Sequence, residues 1–278
     1  WASAIDAVVV RAMPAWIDRS AELSSGVIGW REIGSGPPLL FLHGLGGTRG
    51  SWNPQLAHFG SSHRCIAWDM PGYGASTGES PLTYERIAAR LVELLDHLQI
   101  DQADLVGLSF GGMHVLHTAL NYPSRVGRLV LADTSPAFGM NGTDPEEWKA
   151  TRTGALDRGQ TPASMAAPVL DSIVATPLDA VIRADLIEAF ARISIDGFRS
   201  AVNCLPHNDI RARLHEITAK ALVIVGELDE ETPVVYATVL HDGLAHSTMV
   251  VLPGIGHLSP SEDPDLFNRQ VARFLAAS

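Results

Sequence analysis

The sequence predicts an α/β fold, a mostly parallel sheet flanked by helices and interrupted by an inserted helical segment. Three observations carry this expectation. Short β-rich runs, glycine-bearing turns and helix-patterned stretches alternate along most of the chain. Two of the runs, at 39–42 and 221–225, are apolar throughout and short, as strands covered on both faces are. The rhythm then stops between about residues 135 and 206, where Pro and Gly punctuate helix-like pieces and no convincing strand occurs.

In chain order, the first strands are expected over 27–33 and 38–42, joined by the turn Gly34-Ser35-Gly36-Pro37, and the next over 64–68. Tyr84, Ile87, Ala88, Leu91, Leu94, Leu95 and Leu98 recur at helical spacing, with Thr83 as the N-cap. A buried strand over 103–107 leads into a helix over 111–121, which stops at Tyr122-Pro123 because the residue before a proline avoids helical dihedrals. Strands over 126–132, 221–225 and 248–252 and a closing helix over 265–275 complete the pattern. Within the interruption, 146–157 and 178–190 read as helix. A helical insertion without its own sheet is expected to lie over one edge of the sheet as a cap. The expected organisation is a core of residues 1–134, beginning with an N-terminal extension to about residue 20, a helical cap of 135–206, and the rest of the core over 207–278.

Composition excludes several classes of function. The chain has 278 residues, 46% of them hydrophobic, and can bury a large core without disulfide or metal. Its two cysteines, Cys65 and Cys204, make no disulfide framework, which fits a reducing cytoplasm. The net charge is −11 and the basic residues are scattered, so no stripe exists to displace phosphate counterions and nucleic acid is not an expected partner. No run approaches the ~20 apolar residues that span a bilayer. The N-terminal apolar patch is broken by Asp6, Arg11 and Pro14 and makes a poor signal peptide, so a cytoplasmic location is expected.

The strongest chemical signal is Gly107-Leu108-Ser109-Phe110-Gly111, followed by Gly112, set between an expected strand and an expected helix. A turn this sharp has no room for Cβ atoms at the flanking glycines and forces Ser109 into a strained conformation. The hydroxyl is then held at a helix N-terminus, where developing negative charge is favoured. Serine is a weak nucleophile and needs a base. Of eleven histidines, His257 is best placed, on the loop after the last expected strand. The base needs an acid to fix its tautomer. Asp229, beyond the preceding strand, is preferred; Glu227, Glu230 and Glu231 are nearby rivals, and Asp133, after the strand that follows the nucleophile, is the most serious one.

Acyl transfer also needs two oxyanion donors, for which the backbone N–H groups of Phe110 and Leu45 are the candidates. Gly44 and Gly46 let the Leu45 backbone approach. His43 is expected to hold that loop rather than act as a base. The glycines around residue 44 do not form a dinucleotide fingerprint, because the third glycine would stand where Arg49 is. His114 and His117 are spaced to share a metal but have no third ligand nearby, so neither metal nor cofactor is expected. Trp148 and Arg152, four residues apart on one expected helix face, are candidate substrate contacts, with Arg152 able to fork onto a carboxylate. A solvated arginine packed along a tryptophan is the bland alternative. Met113 is expected as pocket wall.

His43-Gly44, the run from Asp69 to Ser76, Gly107 to Gly112, Gly226 to Asp229 with Thr232-Pro233, and Gly256-His257 together resemble the α/β-hydrolase family over about residues 28–275. The resemblance implies the α/β-hydrolase fold, in which Ser109, Asp229 and His257 follow the family's chain order and Asp69 with its Pro-Gly-Tyr-Gly turn is structural. More narrowly, Gly256-His257-Leu258-Ser259 with Glu262, Pro264 and Phe267-Asn268, and Asp144 to Trp148 with Arg152, resemble the 3-oxoadipate enol-lactone hydrolases of aromatic-compound breakdown. In those enzymes a cap tryptophan faces the substrate. The implied activity is hydrolysis of a small ester or lactone by a serine nucleophile. A carbon–carbon bond hydrolase of ring-cleavage products and a slow-turnover ligand receptor are the alternatives.

Overall fold

The computed structural model describes residues 16–277. In chain order these form β1 (Ile17–Leu23), β2 (Gly26–Ile33), β3 (Pro38–Leu42), α1 (Asn53–Phe59), β4 (Arg64–Trp68), α2 (Tyr84–His97), β5 (Ala103–Leu108), α3 (Phe110–Asn121) and β6 (Val126–Ala132). Four helices follow: α4 (Pro145–Asp157), α5 (Pro162–Ile173), α6 (Ala180–Ala191) and α7 (Ile195–Cys204). The chain then returns to the sheet as β7 (Ala221–Gly226), α8 (Val234–Gly243), β8 (Ser247–Leu252), the single turn α9 (Ser259–Glu262) and α10 (Pro264–Ala276). Among the described residues no helix is long and apolar enough to cross a membrane.

The eight described strands make one sheet in the order β1-β2-β4-β3-β5-β6-β7-β8. β2 runs antiparallel to both β1 and β4, and every pairing from β4 to β8 is parallel. Alternate residues of the parallel strands feed two apolar layers, since successive side chains leave a strand on opposite faces. Leu40, Leu42, Ile66, Leu105 and Val223 pack with α2, α3 and α8, while Leu39, Phe41, Val106, Val130 and Ile224 pack with α1 and α10. Sequence order steps from β4 across to β5 at β3, so the crevice outside the carboxyl ends of β3 and β5 is a topological switch point, where open α/β sheets bind ligands.

Several elements differ from the sequence reading. The extension expected to about residue 20 ends earlier, because Ile17–Leu23 pairs along β2; residues 1–15 lie outside the described residues. This edge strand is mostly solvent-exposed and so has no apolar alternation to reveal it. α5 was hidden by Pro168 inside the helix, although Thr161 and Ser164 form a capping box at its start. α7 and α8 were hidden by Gly197 and by the β-branched run of α8. α8 is nonetheless required, since the neighbouring parallel strands β7 and β8 need a crossover between them.

α3 carries one polar anomaly. His114 is fully buried, edge-on to Phe110 at 4.1 Å between ring centroids, and neither ring nitrogen has a hydrogen-bond partner among the described residues. Burial holds its pKa well below the ordinary value. Replacing both polar atoms with hydrocarbon removes a desolvation cost, so His114→Leu is expected to stabilise the fold by about 1 kcal/mol at neutral pH. The unfolded chain protonates this histidine near pH 6.5 while the folded one does not, so stability falls as pH drops. The advantage of the variant should therefore widen from pH 7 to pH 5 in urea titrations; an advantage that shrinks would contradict the assignment.

Candidate active site

Ser109 stands between β5 and α3 with φ 54° and ψ −118°, the strained conformation expected of it. The crowding around it explains the glycines. A Cβ on Gly111 would run into the carbonyl oxygens of Leu42 and His43, and one on Gly112 would come within 2.6 Å of the Thr134 side chain. The turn is tied down by the Ser109 N–H, which donates to Ala132 O at 2.9 Å, and by the Thr134 hydroxyl, which donates to Ser109 O at 2.6 Å.

Three side chains meet here from the carboxyl ends of three strands. His257 Nε2 lies 3.0 Å from Ser109 Oγ, and His257 Nδ1 lies 2.9 and 3.0 Å from the two carboxylate oxygens of Asp229. With Nδ1–H donating to Asp229, Nε2 is left free to accept from the serine hydroxyl. Asp229 is itself held by the N–H groups of Glu231 and Thr232 and by the Thr232 hydroxyl, at 2.8–2.9 Å. Burial opposes charge on both members of the His257–Asp229 pair, but each charge favours the other: His257 is raised above the ordinary imidazole value and Asp229 is lowered. Asp133 and Glu231 add to the rise of His257.

Asp133, the rival acid, spends its carboxylate on backbone N–H groups rather than on His257. One oxygen accepts from Gly226 N at 3.0 Å and the other from Ser259 N at 2.9 Å, so it ties the loop after β7 to the loop after β8. Burial and the charge of Asp229 push its pKa up to about 7. Glu262 has a related part that sequence reasoning missed. Its carboxylate accepts from Gly256 N and Leu258 N, on either side of His257, and from Ala175 N and Thr176 N just after α5. His257 N also donates to Ile173 O, so the histidine loop is anchored on the helical segment between β6 and β7. A glutamate at the end of a single helical turn gives no sequence signal for such a staple, because its partners are backbone groups and two of them lie far along the chain.

The loop after β3 approaches the serine closely: a Cβ on Gly44 would sit 3.3 Å from Ser109 Cβ. His43 is fully buried, Nδ1 donating to Gly44 O at 2.9 Å and Nε2 accepting from Met70 N at 3.1 Å. Burial lowers its pKa, and both nitrogens are occupied in fixing the loop. Tyr73 OH donates to Leu45 O and holds the next residue. Phe110 opens α3, where first-turn N–H groups lack intrahelical acceptors, while its ring is buried against Tyr84 and His114.

Ser109 and His257 open on a cavity of about 340 Å³. Met113, Trp148 and Arg152 all line it; Leu45 is not among its lining side chains. Arg152 is not free: it pairs with Glu231 at 3.2 Å and stacks over the Trp148 ring at 4.4 Å. Tyr236 and Asn141, neither of which the sequence marked as a residue of this site, add to the polar wall. They lie on α8 and on the loop before α4, elements whose place over the site no local pattern records.

Comparisons with known proteins agree with this architecture. The family model described as alpha/beta hydrolase fold matches residues 37–169. 3-Oxoadipate enol-lactonase 2 of Acinetobacter baylyi is 31% identical over 239 residues, 84% of this chain and 87% of its own. The 2-hydroxymuconate semialdehyde hydrolase of Pseudomonas sp. strain CF600 is 32% identical over 268 residues, 88% and 89% of the two chains. The crystal structure of a hydrolase from Pseudomonas aeruginosa PA01 superposes with a TM-score of 0.83 at 27% identity, covering 94% of this chain and 98% of that one.

Proposed function

Because the chain belongs to the α/β-hydrolase family and is a hydrolase of that fold, we propose that it cleaves small carboxylic esters or lactones through an acyl-enzyme on Ser109. The observation that carries this reading is the unbroken line from Ser109 Oγ through His257 to Asp229, opening on a cavity of about 340 Å³. In this reading residues 135–206 act as a cap that walls the substrate from water, and the reaction involves no cofactor.

Ser109 Oγ attacks the carbonyl carbon as its proton passes to His257 Nε2. Asp229 holds the Nδ1–H and stabilises the imidazolium without taking its proton. The tetrahedral oxyanion is held by the N–H groups of Leu45 and Phe110. As the C–O bond breaks, His257 gives its proton to the leaving oxygen, which for a lactone remains on the same molecule. Water then enters and attacks the acyl carbon as its proton passes to His257, which returns that proton to Ser109 Oγ as the acyl–serine bond breaks and the acid leaves.

Only neutral His257 can act as the base. Its ion partner raises its pKa, so kcat/KM is expected to rise with pH along an acid limb centred above the ordinary value of about 6.5. A pH–rate profile with a midpoint at or below that value would contradict the pairing. The substrate class is tested by following 3-oxoadipate enol-lactone hydrolysis in the ultraviolet beside a simple aryl ester, with wild type and Ser109→Ala. The ring-cleavage hydrolase among the relatives supports a second reading, carbon–carbon bond hydrolysis. That reading predicts loss of the dienol chromophore by ketonisation before cleavage.

A further inference from the structure

We propose that Glu231 sets the charge preference of the pocket, occupying Arg152 so that uncharged acyl chains are accepted ahead of carboxylate-bearing ones. The inference rests on the ester-hydrolase reading and names the substrate class within it. Among the described residues lining the cavity, Arg152 is the only lysine or arginine. Its guanidinium carbon lies over the Trp148 ring, 4.4 Å from the centroid, and Trp148 is itself braced edge-on by Phe138 at 5.2 Å. A guanidinium held against an aromatic ring has less freedom to lose when it grips a carboxylate.

The carboxylate it grips belongs to the protein. Arg152 Nη2 lies 3.2 Å from Glu231 Oε2, joining α4 to the loop that carries Asp229. The backbone of Glu231 is fixed at this wall, because its N–H donates to Asp229 Oδ1 at 2.9 Å. Glu230 lines the same cavity. A carboxylate on the substrate must therefore displace Glu231 and then share the cavity with two acidic side chains. Like charges brought together in a partly buried site cost several-fold to many-fold in affinity. An uncharged ester meets no such opposition and can use the apolar wall.

Matched esters of one acid isolate the charge. Initial methanol release from dimethyl adipate and from monomethyl adipate should be measured for wild type, Glu231→Gln, and Glu231→Gln combined with Arg152→Gln, with Ser109→Ala as the blank. Wild type is expected to favour the diester. Glu231→Gln should raise the ratio of kcat/KM for monoester over diester by about tenfold, mainly through KM, as expected for one removed charge clash. The double variant should lose that gain, which a merely structural role for Glu231 would not produce. A ratio unmoved by Glu231→Gln, or a gain that survives loss of Arg152, overturns the inference while leaving the hydrolase reading intact. Absence of Ser109-dependent methanol release from both esters overturns the ester-hydrolase reading and the inference with it.

Discussion

Ser109→Ala is expected to lower turnover of an ester or lactone by about 10⁴-fold or more, with the melting temperature close to that of wild type. The size follows from the division of labour in the site. His257 and Asp229 have no attacking atom of their own, and with the hydroxyl gone they can at best polarise a water. The residual rate comes from the oxyanion donors and from substrate positioning, so it stays above the uncatalysed rate. Stability is preserved because the backbone bonds that hold residue 109, to Ala132 and Thr134, do not involve its hydroxyl. Steady-state kinetics with a thermal melt on both proteins checks the pair of expectations. A variant that retains near-wild-type turnover contradicts the mechanism.

Gly226→Ala, a change that touches no reacting atom, is expected to lower both stability and activity. Gly226 ends β7, and a Cβ there would strike the carbonyl oxygens of Ile255 and Gly256, backbone atoms that cannot rotate aside. Those carbonyls belong to the His257 loop, which is zipped to the Asp229 loop by Leu228 N donating to Ile255 O at 2.8 Å. The added methyl must part the two loops or distort both. Overpacking of this kind costs about 3 kcal/mol of stability, and a shift of about 1 Å between acid and base costs about 10²-fold in kcat/KM. Gly50→Ala is the control, since the nearest atoms to its Cβ are 3.8 Å away and little change is expected. Urea unfolding and kinetics of the two variants make the comparison. Equal behaviour would show that the loops can yield.

The core was legible in the sequence where local chemistry leaves no choice. The turn around Ser109 announces itself because Gly107, Gly111 and Gly112 each face an atom with no room for a side chain, and that demand is written into adjacent residues. The central parallel strands were legible because burial on both faces requires continuous apolar runs. What stayed hidden depends on partners distant in sequence. β1 is exposed and is defined only by β2; α5 is a helix despite an internal proline; Glu262 staples the His257 loop to the helical segment because the chain after α5 brings Ala175 and Thr176 beside it. The choice between Asp229 and Asp133 as partner of His257 was likewise open, since both follow strands. It is decided by contact, Asp229 reaching the imidazole and Asp133 reaching two backbone N–H groups instead. The pairing of Arg152 with Glu231 belongs to the same group, joining a helix and a loop that no local pattern brings together.

The central claim is that His257 makes Ser109 a nucleophile, and covalent labelling tests it most directly. Purified protein should be treated with an alkyl fluorophosphonate and analysed by intact mass and peptide mapping, beside Ser109→Ala and His257→Ala. The account predicts one phosphonyl adduct on the peptide containing Ser109, no adduct in Ser109→Ala, and strongly slowed labelling in His257→Ala. An unlabelled wild type, or an adduct that persists in Ser109→Ala, would contradict it.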